Sequence, residues 1–172
     1  MSQLPDPTAN LKGSDLKLYH DLCAKRGRID GMYRTLLNHP QLTEHVSNLG
    51  TYLRFDSTLP GNLREFTILY TANKLKVEYE WIKHLEPARK AGLDDNLIGA
   101  IQDHMTLPEP FATIARAADN ILNLENIPQQ LQNSIIEIVQ TKGLLELVVL
   151  IGFYRMIAGV IRACDVQLPT NP

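Results

Sequence analysis

Two glutamates and a histidine between Glu65 and His84 have the types and spacing for proton transfer. Glu80 and His84 are four residues apart, so on a helix they share one face and can exchange a hydrogen bond. A carboxylate beside an imidazole fixes its tautomer and raises its basicity, and a buried second carboxylate can store a proton. Glu65 supplies that second carboxylate if the preceding helix packs alongside. We therefore predict a relay of Glu65, Glu80 and His84, with a solvated Glu80–His84 surface pair as the alternative.

The same stretch offers groups that could line and charge a substrate site. Trp81 adjoins the predicted face and could form an apolar wall that excludes water, although a tryptophan is most often part of the core. Tyr79 and Arg64 are the other substrate-binding candidates, and Arg54 lies before the turn that leads to Arg64. Because a guanidinium binds a carboxylate through two parallel hydrogen bonds, the arginines are candidates for holding an anion.

Helical periodicity runs through almost the whole chain and would position these groups. Apolar residues recur at spacings of three and four, so the pattern predicts an all-α fold of about eight to nine helices. The short connection between the helices of Glu65 and His84 predicts that these helices are neighbours. Residues 1–13 are predicted to form an N-terminal arm and residues 14–172 a single helical domain.

A weak internal similarity relates two of the predicted helices. Ten residues from Leu63 and ten from Leu144 share a pattern of apolar positions around a glutamate, which makes Glu65 and Glu146 equivalent. The match is compatible with a duplicated helical unit and equally with chance. The second segment opens the most apolar stretch, residues 144–164, whose interrupting charges favour a buried helix over a membrane span.

Size and composition restrict the class of protein. The chain has 172 residues, 44% of them apolar and 21% charged, which suffices for a core without disulfides or metals. A net charge of −2 provides no basic excess, so neither nucleic acid nor a membrane is expected as a partner. Cys23 and Cys164 lack a paired spacing and the N-terminus lacks a signal-peptide pattern, which predicts a cytoplasmic protein. The histidines show no metal-ligand spacing, and no cofactor is expected.

The stretch resembles the carboxymuconolactone decarboxylase and alkyl hydroperoxidase D (AhpD-like) superfamily. Redox members of that superfamily carry C-x-x-C-x-x-x-H, with a glutamate twelve residues before the first cysteine. Here Val77 and Glu80 occupy the cysteine positions, His84 matches the histidine, and Glu65 lies twelve residues before Val77. The resemblance therefore keeps the proton-transfer groups of the motif and lacks its sulfur.

Two further segments are similar to the decarboxylase-like branch of the superfamily. They read R-E-x-x-I-L from Arg64 and Y-E-W-x-x-H-x-x-x-A-x-x-x-G-L from Tyr79. The resemblance is strongest over residues 26–100. It implies an AhpD-like helical domain that assembles as a homo-oligomer, a trimer or a hexamer.

The function implied by the resemblance is a decarboxylase-like lyase that performs cofactor-free acid–base chemistry on a small carboxylated or lactone metabolite. In that reaction we expect His84 to donate the proton, Glu80 to orient it and Glu65 to serve as the second relay carboxylate. Thiol peroxidase activity is the least favoured alternative, because neither Val77 nor Glu80 can pass through a sulfenic acid to a disulfide. A non-catalytic helical oligomer that binds a ligand or a partner protein is the other alternative.

Overall fold

Eight α-helices and no strand make up the described part of the chain, residues 3–27, 29 and 31–168 of a computed structural model. The helices are α1 (Gly13–Arg26), α2 (Gly31–Leu36), α3 (Pro40–Thr51), α4 (Gly61–Lys74), α5 (Glu78–Lys90), α6 (Asp95–Gln102), α7 (Phe111–Leu122) and α8 (Gln129–Ala163). A 3₁₀ turn at Thr8–Asn10 precedes α1, and a five-residue π-helix at Tyr52–Asp56 follows α3. The all-α fold class predicted from periodicity is confirmed.

One compact unit contains the described residues up to position 52 and residues 159–168. One cluster of its core contains Leu22, Ile29 and Leu37, with partly buried apolar residues around them. The Arg26 guanidinium links α1 to α3, since it donates to the Oγ1 of Thr51 at 3.0 Å. The predicted N-terminal arm is held against α2 by hydrogen bonds and an ion pair, such as the 2.8 Å contact between Asp6 and Arg34. The division into an arm and a single domain stays a prediction.

Helix α4 is the centre of the second unit, residues 53–158. It packs against α5, α6 and α7. The ring centroids of Phe66 on α4 and Phe111 on α7 are 4.9 Å apart. Its buried side chains cover most of its circumference and are mainly apolar: Leu63, Glu65, Phe66, Thr67, Ile68, Leu69, Thr71 and Ala72. A carboxylate buried on such a helix needs a hydrogen-bond partner or a counter-charge, so Glu65 requires a structural explanation.

Helix α5 follows α4 after three residues and packs beside it, as the short connection predicted. Lys76 in that connection has a φ of 55°, a left-handed conformation that turns the chain. At the other end Gly92 has a φ of 96°, and the amide of Leu93 donates to the carbonyl of Ala88 at 3.0 Å. Such a left-handed residue ends a helix and satisfies its last carbonyls, so both ends of α5 are fixed.

Helix α8 is interrupted at Gln140, whose φ of 63° and ψ of 176° are not helical, so it consists of segments 129–139 and 141–163. A side chain at Gly143 would place its Cβ 2.6 Å from the Cβ of Val139, which explains the glycine at this bend. One turn later the buried Glu146 carboxylate accepts hydrogen bonds from the backbone N and the Oγ1 of Thr58, at 2.9 and 2.7 Å. Glu146 thereby fixes the turn that leads into α4.

The apolar character of α8 is high enough to consider a membrane span. Its most apolar 18-residue window has a mean hydropathy of 2.1, and 44% of that window is buried. By length and composition this helix could cross a membrane, but core helices of soluble proteins pass the same test. The buried face, which includes Leu147, Leu150 and Ile151, agrees with the core helix predicted from the sequence. The opposite face leaves Leu145 and Val149 exposed.

Candidate active site

The imidazole of His84 is hydrogen-bonded to the Glu65 carboxylate across the contact between α4 and α5. The distance from Nδ1 of His84 to Oε2 of Glu65 is 2.8 Å. Residue exposures of 3% for Glu65 and 5% for His84 show that this contact is shielded from water. Because α4 is buried on most sides and α5 lies directly against it, two side chains 19 residues apart meet in the interior.

The second ring nitrogen of His84 faces two other groups. The hydroxyl of Tyr154, on α8, lies 3.0 Å from Nε2, and the tyrosine ring meets the imidazole edge-on at 83° and 5.3 Å. The Glu80 carboxylate, one turn before His84 on α5, approaches the same nitrogen at 3.5 Å. Glu80 is 6% exposed, and no described residue donates a hydrogen bond to its carboxyl group. The structure thus brings Glu65, Glu80 and His84 together.

The pKa of the Glu65 carboxyl depends on its burial and on the charged groups around it. Burial alone would raise the pKa of Glu65, but the hydrogen bond and charge of His84 and the charges of Arg64 and Arg54 outweigh it. The net effect is a pKa below the ordinary value of a glutamate. Glu65 is therefore an ionised acceptor at neutral pH, and it favours a proton on Nδ1 of His84.

The Glu80 carboxyl behaves in the opposite way. Burial raises its pKa, and the charges of His84, Arg54 and Lys83 offset that effect only in part. The physical reason is that no hydrogen bond from the described residues compensates for the lost solvation of the charged form. Two carboxyls on one imidazole thus have pKa values shifted in opposite directions, an arrangement that separates acid and base roles at many enzyme sites.

Two arginines bring positive charge to the site. Arg54 belongs to the π-helix Tyr52–Asp56, a type of element that often occurs at functional sites, and its guanidinium lies 5.3 Å from the Phe55 ring. None of the described residues accepts a hydrogen bond from Arg54. The Nε atom of Arg64 is buried without a hydrogen bond, 3.6 Å from Oε1 of Glu65. Both guanidinium groups therefore have N–H donors that could bind a ligand.

The remaining predicted substrate-binding residues occupy different places on α5. Trp81 is half-buried and lies one turn before His84, at the edge of the face that His84 shares with Glu80. Tyr79 is buried and directly precedes Glu80, and successive residues on a helix point in different directions. Trp81 thus lies beside the site, and a role of either residue in substrate binding stays a prediction.

Tyr154 is the site residue that sequence reasoning missed. It lies 70 residues after His84 in the apolar segment of α8, where the sequence pattern indicates an ordinary core tyrosine. The sequence offers only a weak indication, because a buried phenol needs a hydrogen-bond partner but its position in the sequence does not identify that partner. Within the described part of the chain, no group of three or more His, Cys, Asp and Glu residues could hold a metal ion.

Comparisons with known proteins identify the fold. No family profile and no curated protein matches the sequence. An uncharacterized peroxidase-related protein from Silicibacter sp. TM1040 is similar in structure, with a TM-score of 0.80 and 14% identity over 98% of this chain and 92% of that chain.

The debrominase Bmp8 is a second structural neighbour. Its apo form has a TM-score of 0.70 and 13% identity, over 98% of this chain and 91% of that chain. A variant in complex with 2,3,4-tribromopyrrole has a TM-score of 0.69 and 14% identity, over 93% and 90%. At such low identity the likeness establishes the fold alone, and this chain has the AhpD-like helical fold that its sequence predicted.

Proposed function

We propose that this protein is a decarboxylase-like lyase that performs acid–base chemistry on a small carboxylated or lactone metabolite, without a cofactor. The observation that carries the proposal is the His84 imidazole, held between two buried carboxyls whose pKa values are shifted in opposite directions. Surface pairs do not have this burial or this asymmetry, since solvent keeps exposed carboxyls near their ordinary pKa.

The geometry favours a different distribution of roles from the one expected from the sequence. Glu65 makes the short hydrogen bond, so it orients His84, whereas Glu80 holds the exchangeable proton beside Nε2. In a decarboxylation the bond to the substrate carboxylate breaks, carbon dioxide leaves, and the electron pair stays on the substrate as a dienolate. Glu80 and His84 then supply one proton to its carbon, and solvent returns that proton to the site.

The charge balance of the site supports an anionic substrate. Burial disfavours the charged form of Glu80, so Arg54 and Arg64 provide two positive charges against Glu65, the one carboxylate whose charged form is favoured. An excess of positive charge with unused guanidinium donors favours a carboxylate, which a guanidinium binds through two parallel hydrogen bonds. We assign Arg54 and Arg64 to the substrate carboxylate, with Trp81 at the edge.

Turnover of carboxymuconolactone, followed by ultraviolet absorbance, tests the function. The native protein should turn it over, and His84→Ala should lower kcat on the order of 100-fold or more, because general acid–base catalysis contributes that much. His45→Ala is the matched control, since His45 is exposed and lies outside the site. Equal rates for the native protein and His84→Ala would refute the decarboxylase proposal.

We further propose that the protein forms a homo-oligomer through the exposed face of α8. Apolar side chains recur at helical spacing on that face, with exposures of 63% for Leu145, 37% for Val148, 44% for Val149 and 43% for Met156. Gly152 lies between them, and a Cβ there would meet nothing within 4 Å, so a second copy could approach closely. Sedimentation velocity should show an oligomer that Val149→Lys dissociates. A monomer for the native chain would contradict this.

A further inference from the structure

Two proton-bearing groups compete for one nitrogen of His84. The Tyr154 hydroxyl lies 3.0 Å from Nε2 and the Glu80 carboxyl 3.5 Å from it. Nε2 offers a single lone pair or a single proton, so it can make one good hydrogen bond at a time. Tyr154 has the shorter contact, and Glu80 is left without a hydrogen bond from the described residues.

The direction of the Tyr154 hydrogen bond follows from the other side of the ring. Glu65 is an ionised acceptor, so Nδ1 carries a proton and donates it at 2.8 Å. In the neutral imidazole Nε2 is then an acceptor, and the phenol of Tyr154 is the donor. The edge-on ring contact at 83° adds a third restraint on the imidazole plane.

We propose that Tyr154 is a positioning residue that keeps the Glu80 carboxyl from hydrogen-bonding to Nε2 of His84 and so prevents a hydrogen-bonded ion pair between them. A hydrogen-bonded ion pair would hold the proton on His84 and leave Glu80 as an ionised carboxylate that cannot act as an acid. With the phenol on Nε2, the Glu80 carboxyl and the His84 imidazole stay separate groups, each of which can exchange a proton with a substrate. This role rests on the acid–base function proposed above and extends it to a residue on α8.

The other charged groups around the ring do not provide this separation. Arg54 and Arg64 act on the Glu65 side and lower the pKa of that carboxyl, and the charges of Arg54 and Lys83 favour the ionised form of Glu80. All three would promote the ion pair rather than prevent it. The hydroxyl of Tyr154 opposes it by occupying the acceptor site.

Titration of His84 by ¹⁵N NMR tests the proposal without a substrate. In Tyr154→Phe the Glu80 carboxyl gains access to Nε2, so the titration midpoint of His84 should rise by about one pH unit. The double variant Tyr154→Phe/Glu80→Gln should lose that rise, because no carboxyl remains to form the pair. Tyr70→Phe is the matched control, since the Tyr70 hydroxyl also contacts a carboxylate, that of Asp119 at 3.1 Å. It should leave His84 unchanged.

An unchanged or lowered midpoint in Tyr154→Phe would overturn the proposal, as would a rise that persists in the double variant. If Tyr154→Phe does not fold, Glu80→Gln alone decides. A carboxyl that is kept apart and protonated predicts a small effect on the His84 midpoint, whereas a large fall would show a preformed ion pair. A lack of carboxymuconolactone turnover would count against the proposed function and leave these titrations valid.

Discussion

Glu65 and Glu146 occupy equivalent positions in the weak internal similarity, and both are buried glutamates on apolar helices, yet they do different things. Glu65 meets an imidazole that a second carboxyl also approaches. Glu146 meets the amide and hydroxyl of Thr58, neither of which titrates in the physiological range. The partner, rather than burial or sequence context, distinguishes a carboxylate that can move protons from one that holds a turn.

Replacing each glutamate by glutamine should give the largest difference between the two regions. Glu65→Gln removes the charge that orients His84, so kcat toward carboxymuconolactone should fall on the order of 1,000-fold. Glu146→Gln keeps an acceptor for Thr58 and should change kcat little. Steady-state kinetics of both variants measures the contrast. Similar losses in the two would remove the distinction between them.

Truncation of Glu146 should reveal its structural role. Glu146→Ala removes both hydrogen bonds to Thr58, so the free energy of unfolding should fall by about 3 kcal/mol, since hydrogen bonds to charged groups are among the stronger ones. Glu137→Ala is the control on the same helix, because Glu137 is exposed and should change stability by less than about 0.5 kcal/mol. Urea unfolding measures both, and equal values would contradict the role of Glu146.

The bend that places Glu146 should also be sensitive to substitution. In Gly143→Ala the new Cβ would lie 2.6 Å from the Cβ of Val139, and the crowding should cost about 2 kcal/mol of unfolding free energy. Gly99→Ala on α6 is the control, because nothing lies within 4 Å of its added Cβ. Thermal unfolding should therefore separate the two variants. A Gly143→Ala protein as stable as Gly99→Ala would argue against a tight bend.

The smallest expected effect concerns stability: the contributions of Glu65 and Glu80 to the free energy of unfolding should depend on pH in opposite directions. The lowered pKa of Glu65 contributes stability above its unfolded pKa, and this contribution is lost as pH falls through the folded value. Glu65→Gln should then be less stable than native at pH 7, with a gap that closes in acid.

Because the pKa of Glu80 is raised, its contribution to stability depends on pH in the opposite direction. Its contribution is present below the unfolded pKa and is lost as pH rises through the folded value. Glu80→Gln should therefore match the native protein near pH 4 and exceed its stability at pH 7. Denaturant unfolding across this range tests both variants, and the same sign for both would contradict the assigned environments.

The fold and the grouping of three site residues could be predicted from the sequence, because both depend on local spacing. Periodicity indicated the helices, and the four-residue interval with the short α4–α5 connection brought Glu65, Glu80 and His84 together. What could not be predicted depends on long-range contacts. Tyr154 reaches His84 from 70 residues away, and the different distances of the two carboxyls from His84, 2.8 Å for Glu65 and 3.5 Å for Glu80, depend on how the helices pack.

The tautomer of His84 depends directly on its hydrogen bond to Glu65. In the native protein, ¹⁵N spectra should show Nδ1 protonated and Nε2 unprotonated above the titration midpoint, with the signal identified by its loss in His84→Ala. In Glu65→Gln that preference should disappear, while Glu146→Gln should keep it. A native His84 that exchanges between both tautomers, as a free histidine does, would show that Glu65 does not orient the ring and would contradict the account.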